Sequence, residues 1–166
     1  MRVNTYPDSI LAQRAKRVRR NEFGPVLKKF VDEMFETMYS QGGIGLAAPQ
    51  VGKSKQIIVI DIGWVAGNPS PLVLINPELV SSYGNVVNTE GCLSFPGVTM
   101  KVSRSKTVLI RAADPDGKKV KVSAKGLLAI CIQHEIDHLR GATLVDKVPL
   151  HKRQDFINKL VPKKME

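Results

Sequence analysis

Residues 134–138 read His134, Glu135, Ile136, Asp137, His138, an HExxH pattern. On a helix, residues four apart stand about 40° from each other around the axis and one turn up, so both imidazoles can reach one cation. Glu135, beside the first histidine, can reach a water on that cation and take its proton. The plain alternatives are solvated charge and satisfied core histidines. The apolar run from Leu127 to Ile132 leads straight into the pattern and marks the helix as buried. There, two histidines and a glutamate without partners are costly.

A catalytic metal site needs three protein ligands and an open position. Cys131 lies on the same predicted helix, three residues before His134. It is seven residues from His138, about 10.5 Å along the axis, so a cysteine side chain is too short for all three to converge. Cys131 is therefore expected to line or underlie the site. Cys92 sits in Glu90-Gly91-Cys92-Leu93-Ser94, a loop between strand signals, where a thiolate can approach from another direction. It reads either as a small buried hydrophobe or as a ligand. A third segment runs Gly43-Ile44-Gly45-Leu46-Ala47-Ala48-Pro49-Gln50. Its small residues admit close backbone approach by a ligand, and Gln50 can donate to a developing oxyanion. A tight structural turn is the other reading. It is not a phosphate loop, because Lys53-Ser54 falls out of register with the glycines.

Several elements must position these groups. Val26, Leu27, Phe30, Val31, Met34, Phe35, Met38 and Tyr39 make one wide apolar face and predict a helix over 25–40. Pro25 suits its first turn, and Gly42-Gly43 ends the pattern. Residues 57–62 and 72–75 read as strands, the second stopping before Asn76-Pro77. A further strand is expected over 78–88 with a break near Gly84. Strands at 107–112 and 119–123 flank Asp114-Pro115-Asp116-Gly117, a strong hairpin signal. Residues 127–139 read as the HExxH helix, ended by Gly141, and 149–160 as a last helix starting on Pro149. The order predicts an α+β fold, with antiparallel strands packed around a central HExxH-bearing helix and with N-terminal and C-terminal helices. One catalytic domain over residues 1–166 is expected.

Taken in order, the segments 43–50, 90–94 and 133–138 resemble peptide deformylase. Tyr6-Pro7-Asp8 with Leu11 looks like that family's usual opening. The resemblance implies removal of the formyl group from N-formylmethionine on newly made polypeptides, with release of formate. It implies Cys92, His134 and His138 as metal ligands and Glu135 as general base acting on a metal-bound water. Gln50 and the Leu93 amide would hold the oxyanion. Gly45 would pair with the substrate backbone, and Ile44, Leu127, Ile130 and Cys131 would help form the pocket for the methionine side chain. It also implies one divalent ion, Fe2+ natively, replaceable by Zn2+, Ni2+ or Co2+.

The chain has 25 Lys and Arg against 15 Asp and Glu, a net charge of +10. This charge favours an anionic partner but specifies no chemistry. Residues 1–29 and 101–125 each carry eight basic and two acidic groups, and 150–166 carry five and two. The motif-bearing segments 30–100 and 126–149 are net negative. Solubility alone is one reading of the basic segments; encounter with the ribosome through the basic termini is the other. No membrane segment and no specific DNA partner are expected. Two cysteines cannot build a disulfide framework, which suits a reducing, cytoplasmic setting. Three competing readings stay open. One is an ordinary HExxH endopeptidase with Asp146 as third ligand. Another is a basic RNA-binding module with an incidental metal, and the third is a relative with another N-acyl preference.

Overall fold

A computed structural model describes residues 1–160. Helix α1 covers Pro25–Ser40. Then come β1 (Gly45–Ala47), β2 (Ile57–Ile60), β3 (Leu72–Tyr83), β4 (Val86–Cys92), β5 (Phe95–Arg104), β6 (Thr107–Ala113) and β7 (Lys119–Lys125). Helix α2 spans Gly126–Leu139, α3 Leu144–Lys147 and α4 Arg153–Leu160. The architecture is α+β, and every strand pairing is antiparallel. One sheet has the order β1-β2-β3-β6-β7, and a separate two-stranded sheet holds β4 and β5.

Strand β2 explains why the larger sheet is covered on both faces. All four of its residues are buried. Their alternation sends Ile58 and Ile60 into a cluster with Ala129, Ile132, Ile136 and Leu139 of α2. Ile57 and Val59 join Leu27, Val31, Met34 and Met38 of α1. Val26 does not share that face; it is 84% exposed at the helix start. A third cluster, around Phe95, Val102, Leu144 and Val145, packs α3 and α4 against the β4–β5 hairpin.

Three expectations are corrected. The strand expected to stop before Asn76-Pro77 continues to Tyr83. A bulge between Ile75 and Glu78 absorbs the proline at a place where no ladder amide is lost. Asn76 takes a positive φ of 52° there. Its side chain accepts from the Val18 amide at 2.8 Å and donates to the Val18 carbonyl at 2.9 Å. The stretch 78–88 does break at Gly84, as expected, but the break separates two strands: the first part belongs to β3 and the second to β4, which runs on to Cys92. The last helix begins at Arg153, after a 3-10 turn over Leu150–Lys152. No described helix is long and apolar enough to cross a membrane.

The start of the chain ties the two sheets together. The Asn4 amide donates to the Gln50 carbonyl at 2.7 Å, and the Tyr6 amide to the Ser94 carbonyl at 3.0 Å. Tyr6 also stacks on Phe95, with ring centroids 5.4 Å apart.

Candidate active site

Helix α2 lies against the larger sheet and carries His134 and His138 one turn apart, with their Nε2 atoms 3.3 Å from each other. Strand β4 ends at Cys92, whose Sγ comes to 3.2 Å from His138 Nε2. Among the described residues this is the one group of His, Cys, Asp and Glu side chains placed to share a metal ion, with all three ligand atoms within 4.8 Å. Metal–ligand bonds of about 2.0–2.3 Å at tetrahedral angles separate ligand atoms by about 3.3–3.8 Å, close to the 3.2 and 3.3 Å between these atoms, so a small adjustment lets them share a cation. Burial alone would lower the His134 imidazole. Hydrogen bonds to Cys92 and Glu90 and the Glu135 charge outweigh burial and push its pKa up to about 10. Burial and the neighbouring His134 charge hold His138 well below the usual histidine range, so its nitrogen lone pair is free.

Residues from the hairpin hold His134 in place. Its Nδ1 meets Glu90 Oε2 at 2.9 Å, which turns Nε2 toward the cluster. Arg104, at the end of β5, donates from Nε and Nη2 to the two Glu90 oxygens, each at 2.8 Å, and from Nη1 to Asp137. Burial would raise the Glu90 carboxyl, but Arg104 and His134 bring it down to about 2. The Asp137 carboxylate also meets Lys147 at 2.9 Å. Sequence reasoning missed Glu90 and Arg104. Glu90 had a signal in its place beside Gly91-Cys92; Arg104 had none.

Glu135 is 3% exposed, and its Oε2 has no hydrogen-bond partner. Burial is the main reason its carboxyl is pushed up to about 7. Strand β1 passes so close that a Cβ on Gly45 would stand 2.5 Å from Glu135 Oε1 and 2.7 Å from Cys131 Sγ. Gln50 is buried and held by its own segment. Its Oε1 accepts from the Ala47 amide at 2.8 Å, and its Nε2 faces Ser94 Oγ at 3.2 Å and Cys92 Sγ at 3.5 Å. Cys131 is not in the group placed to share a metal ion; its Sγ stands 3.8 Å from the Ile44 carbonyl, and its thiol pKa is raised by burial.

A cleft of about 670 Å³ opens between the hairpin, β1 and α2. Ile44, Gly45, Gln50, Cys92, Leu93, Leu127, Ile130, Cys131, His134 and Glu135 all border it. Leu127 stands at the rim, 48% exposed, and His138 is buried behind Cys92. Asp146, the alternative third ligand, caps α3 instead. Its Oδ2 accepts from the Thr143 amide at 2.7 Å and the Thr143 hydroxyl at 3.0 Å.

The peptide deformylase of Thermodesulfovibrio yellowstonii is 44% identical over 164 residues, covering 99% of this chain and 98% of that one. The crystal structure of a peptide deformylase from Legionella pneumophila superposes with a TM-score of 0.88 at 42% identity, covering 96% of this chain and 92% of that one. A Synechococcus elongatus peptide deformylase in complex with actinonin gives a TM-score of 0.88 at 43% identity, covering 95% and 86%. The sequence model of the family described as polypeptide deformylase matches residues 1–154, and the chain belongs to that family of enzymes.

Proposed function

We propose that residues 1–166 form one catalytic domain that removes the formyl group from N-formylmethionine at the start of new polypeptides and releases formate. The observation that carries this reading is the cluster of Cys92, His134 and His138 at the cleft, beside the unpartnered carboxylate oxygen of Glu135. Cys92, His134 and His138 would hold one divalent ion. The thiolate and imidazole donors accept Fe2+, Co2+, Ni2+ or Zn2+, and our reading takes Fe2+ as native from the family resemblance. When bound, the ion supplies Lewis acidity, lowering the pKa of water and polarising a carbonyl.

The protein's own groups do the rest. Glu135 Oε2 takes the proton of the attacking water and returns a proton to the leaving amine. The C–N bond breaks as the new C–O bond completes formate. Gln50 Nε2 and the Leu93 amide hold the negative charge that grows on the formyl oxygen. The Ala47 amide fixes Gln50 by its other end, so little reorganisation is needed. Gly45 receives the substrate backbone, and Ile44, Leu127, Ile130 and Cys131 receive the methionine side chain. Actinonin is proposed as a ligand of the same cleft. A cytoplasmic site of action and ribosome encounter through the basic termini complete the reading, although residues 161–166 lie outside the described structure.

The decisive assay is formate release from formyl-Met-Ala-Ser by protein loaded anaerobically with Fe2+. An acetylated peptide and a peptide with only internal bonds serve as controls. Turnover confined to the formylated peptide is expected. Cleavage of internal bonds would favour the endopeptidase, and binding of RNA without hydrolysis the binding module.

A further inference from the structure

The cleft wall at Gly43–Gly45 is held from outside by the turn that follows β2. A Cβ on Gly43 would stand 2.8 Å from Leu93 Cδ1, so any side chain there would displace the Leu93 side chain at the cleft. The Gly43 amide donates to the Met38 carbonyl at 2.9 Å, and the Gly43 carbonyl accepts from the indole Nε1 of Trp64 at 2.8 Å. The next carbonyl, that of Ile44, accepts from the Asp61 amide at 2.9 Å. Two consecutive peptide groups of the wall are therefore pinned by residues 61–64.

That turn is itself tightly built. Asp61 is fully buried, and its Oδ1 accepts from the amides of Gly63, Trp64 and Ser70 at 3.1, 3.2 and 3.0 Å. Its Oδ2 accepts from the Tyr39 hydroxyl at 2.9 Å. A Cβ on Gly63 would lie 2.0 Å from the Asn68 carbonyl oxygen, so only glycine lets the turn close. Tyr39 meets the Trp64 ring edge-on, with centroids 5.1 Å apart and planes at 61°. These contacts aim the indole N–H at Gly43. Catalysis as described above uses none of them.

We propose that Trp64 is a positioning residue whose indole N–H fixes the Gly43 carbonyl, and with it the wall on which the substrate backbone is laid. This rests on the deformylase reading of the cleft. Losing the bond is expected to weaken substrate capture while leaving the chemical step intact, because the groups that act on the formyl group stand on α2, at Cys92 and Leu93 around the end of β4, and at Gln50.

Trp64 is the only tryptophan in the chain, so a tryptophan auxotroph can replace it alone. β-(Benzothiophen-3-yl)alanine keeps the ring shape and puts sulfur where the N–H was; 5-fluorotryptophan keeps the N–H. In metal-loaded protein, the benzothiophene version is expected to raise KM for formyl-Met-Ala-Ser about three- to tenfold, the span of one net hydrogen bond. We expect kcat to stay within twofold, amide exchange across residues 43–47 to quicken, and the 5-fluorotryptophan protein to match wild type in each. An unchanged KM, a fall confined to kcat, or an equal KM rise with 5-fluorotryptophan overturns the proposal. If unsubstituted protein releases no formate, the deformylase reading falls, and the exchange rates at 43–47 alone decide the role of Trp64.

Discussion

A methyl group added at Gly45 probes the closest approach in the cleft. Its carbon would lie 2.5 Å from Glu135 Oε1 and 2.7 Å from Cys131 Sγ, where ordinary contact begins near 3.4 Å. The conflict is with side chains, so either the carboxylate retreats by about 1 Å or β1 moves outward. β1 is poorly placed to move, because it pairs with β2 from Gly45 to Ala47, and Leu46 and Ala47 are fully buried. The carboxylate yields first, since its Oε2 has no partner to restrain it. A 1 Å misplacement of a catalytic group costs about a hundredfold in rate, or about 2.7 kcal/mol of barrier. Overpacking costs a further ~1–3 kcal/mol of stability. Gly45→Ala is therefore expected to lower kcat about a hundredfold on formyl-Met-Ala-Ser, keep its metal and lose several degrees of Tm. Adding Cys131→Ala removes the sulfur overlap but not the carboxylate overlap, so Tm recovers in part while kcat does not. The measurements are coupled formate release, metal analysis and calorimetry. A Gly45→Ala enzyme with kcat within threefold of wild type and an unchanged Tm would refute the reasoning.

Gln50→Ala removes one donor to the developing oxyanion, and kcat is expected to fall about 10²–10³-fold with metal content unchanged; intact turnover would take Gln50 out of the mechanism. Glu135→Gln is expected to retain metal and lose turnover, because an amide cannot accept the water proton; metal analysis beside formate release checks both halves. Cys92→Ala is expected to lose the metal itself, and stoichiometric retention would break the ligand assignment. Away from the cleft, burial, with help from Asp61, pushes the Tyr39 phenol up to about 12 from 10.0. A raised folded pKa stabilises the protein fully below the unfolded value, and that stability is lost as pH rises from 10 through about 12. The Tm gap between wild type and Tyr39→Phe is therefore expected to narrow across that window, and a constant gap would count against the coupling.

Much of the site was legible because its chemistry sits in short local runs. The HExxH spacing needs only one helical turn, and Cys92 and Gln50 each stand within a small-residue segment. Helix α1 was legible from its apolar face down to its last residue. Strand β5 was not, since Pro96 and Gly97 break its pattern at the start and its exposure is mixed. The bulge at Asn76-Pro77 was hidden for a related reason. The side chain of Asn76 in that bulge is held by the backbone of Val18, 58 residues away. Arg104 and Trp64 were illegible on the same ground. Their partners Glu90 and Gly43 are 14 and 21 residues distant, and neither local composition nor period records such a pairing.

The two sheets share no ladder, yet the cleft opens between them. Its gape is thus an inter-sheet distance, fixed by side-chain ties such as Arg104 to Asp137 and by the lacing of residues 4–6 to both walls. A strand register changes only in whole steps, but a spacing of this kind can be tuned continuously. The hairpin can tilt by fractions of an ångström to admit side chains of different girth without breaking a single rung of either sheet. Selectivity along the rim can drift in this way while His134 and His138, one turn apart on α2, keep their mutual geometry.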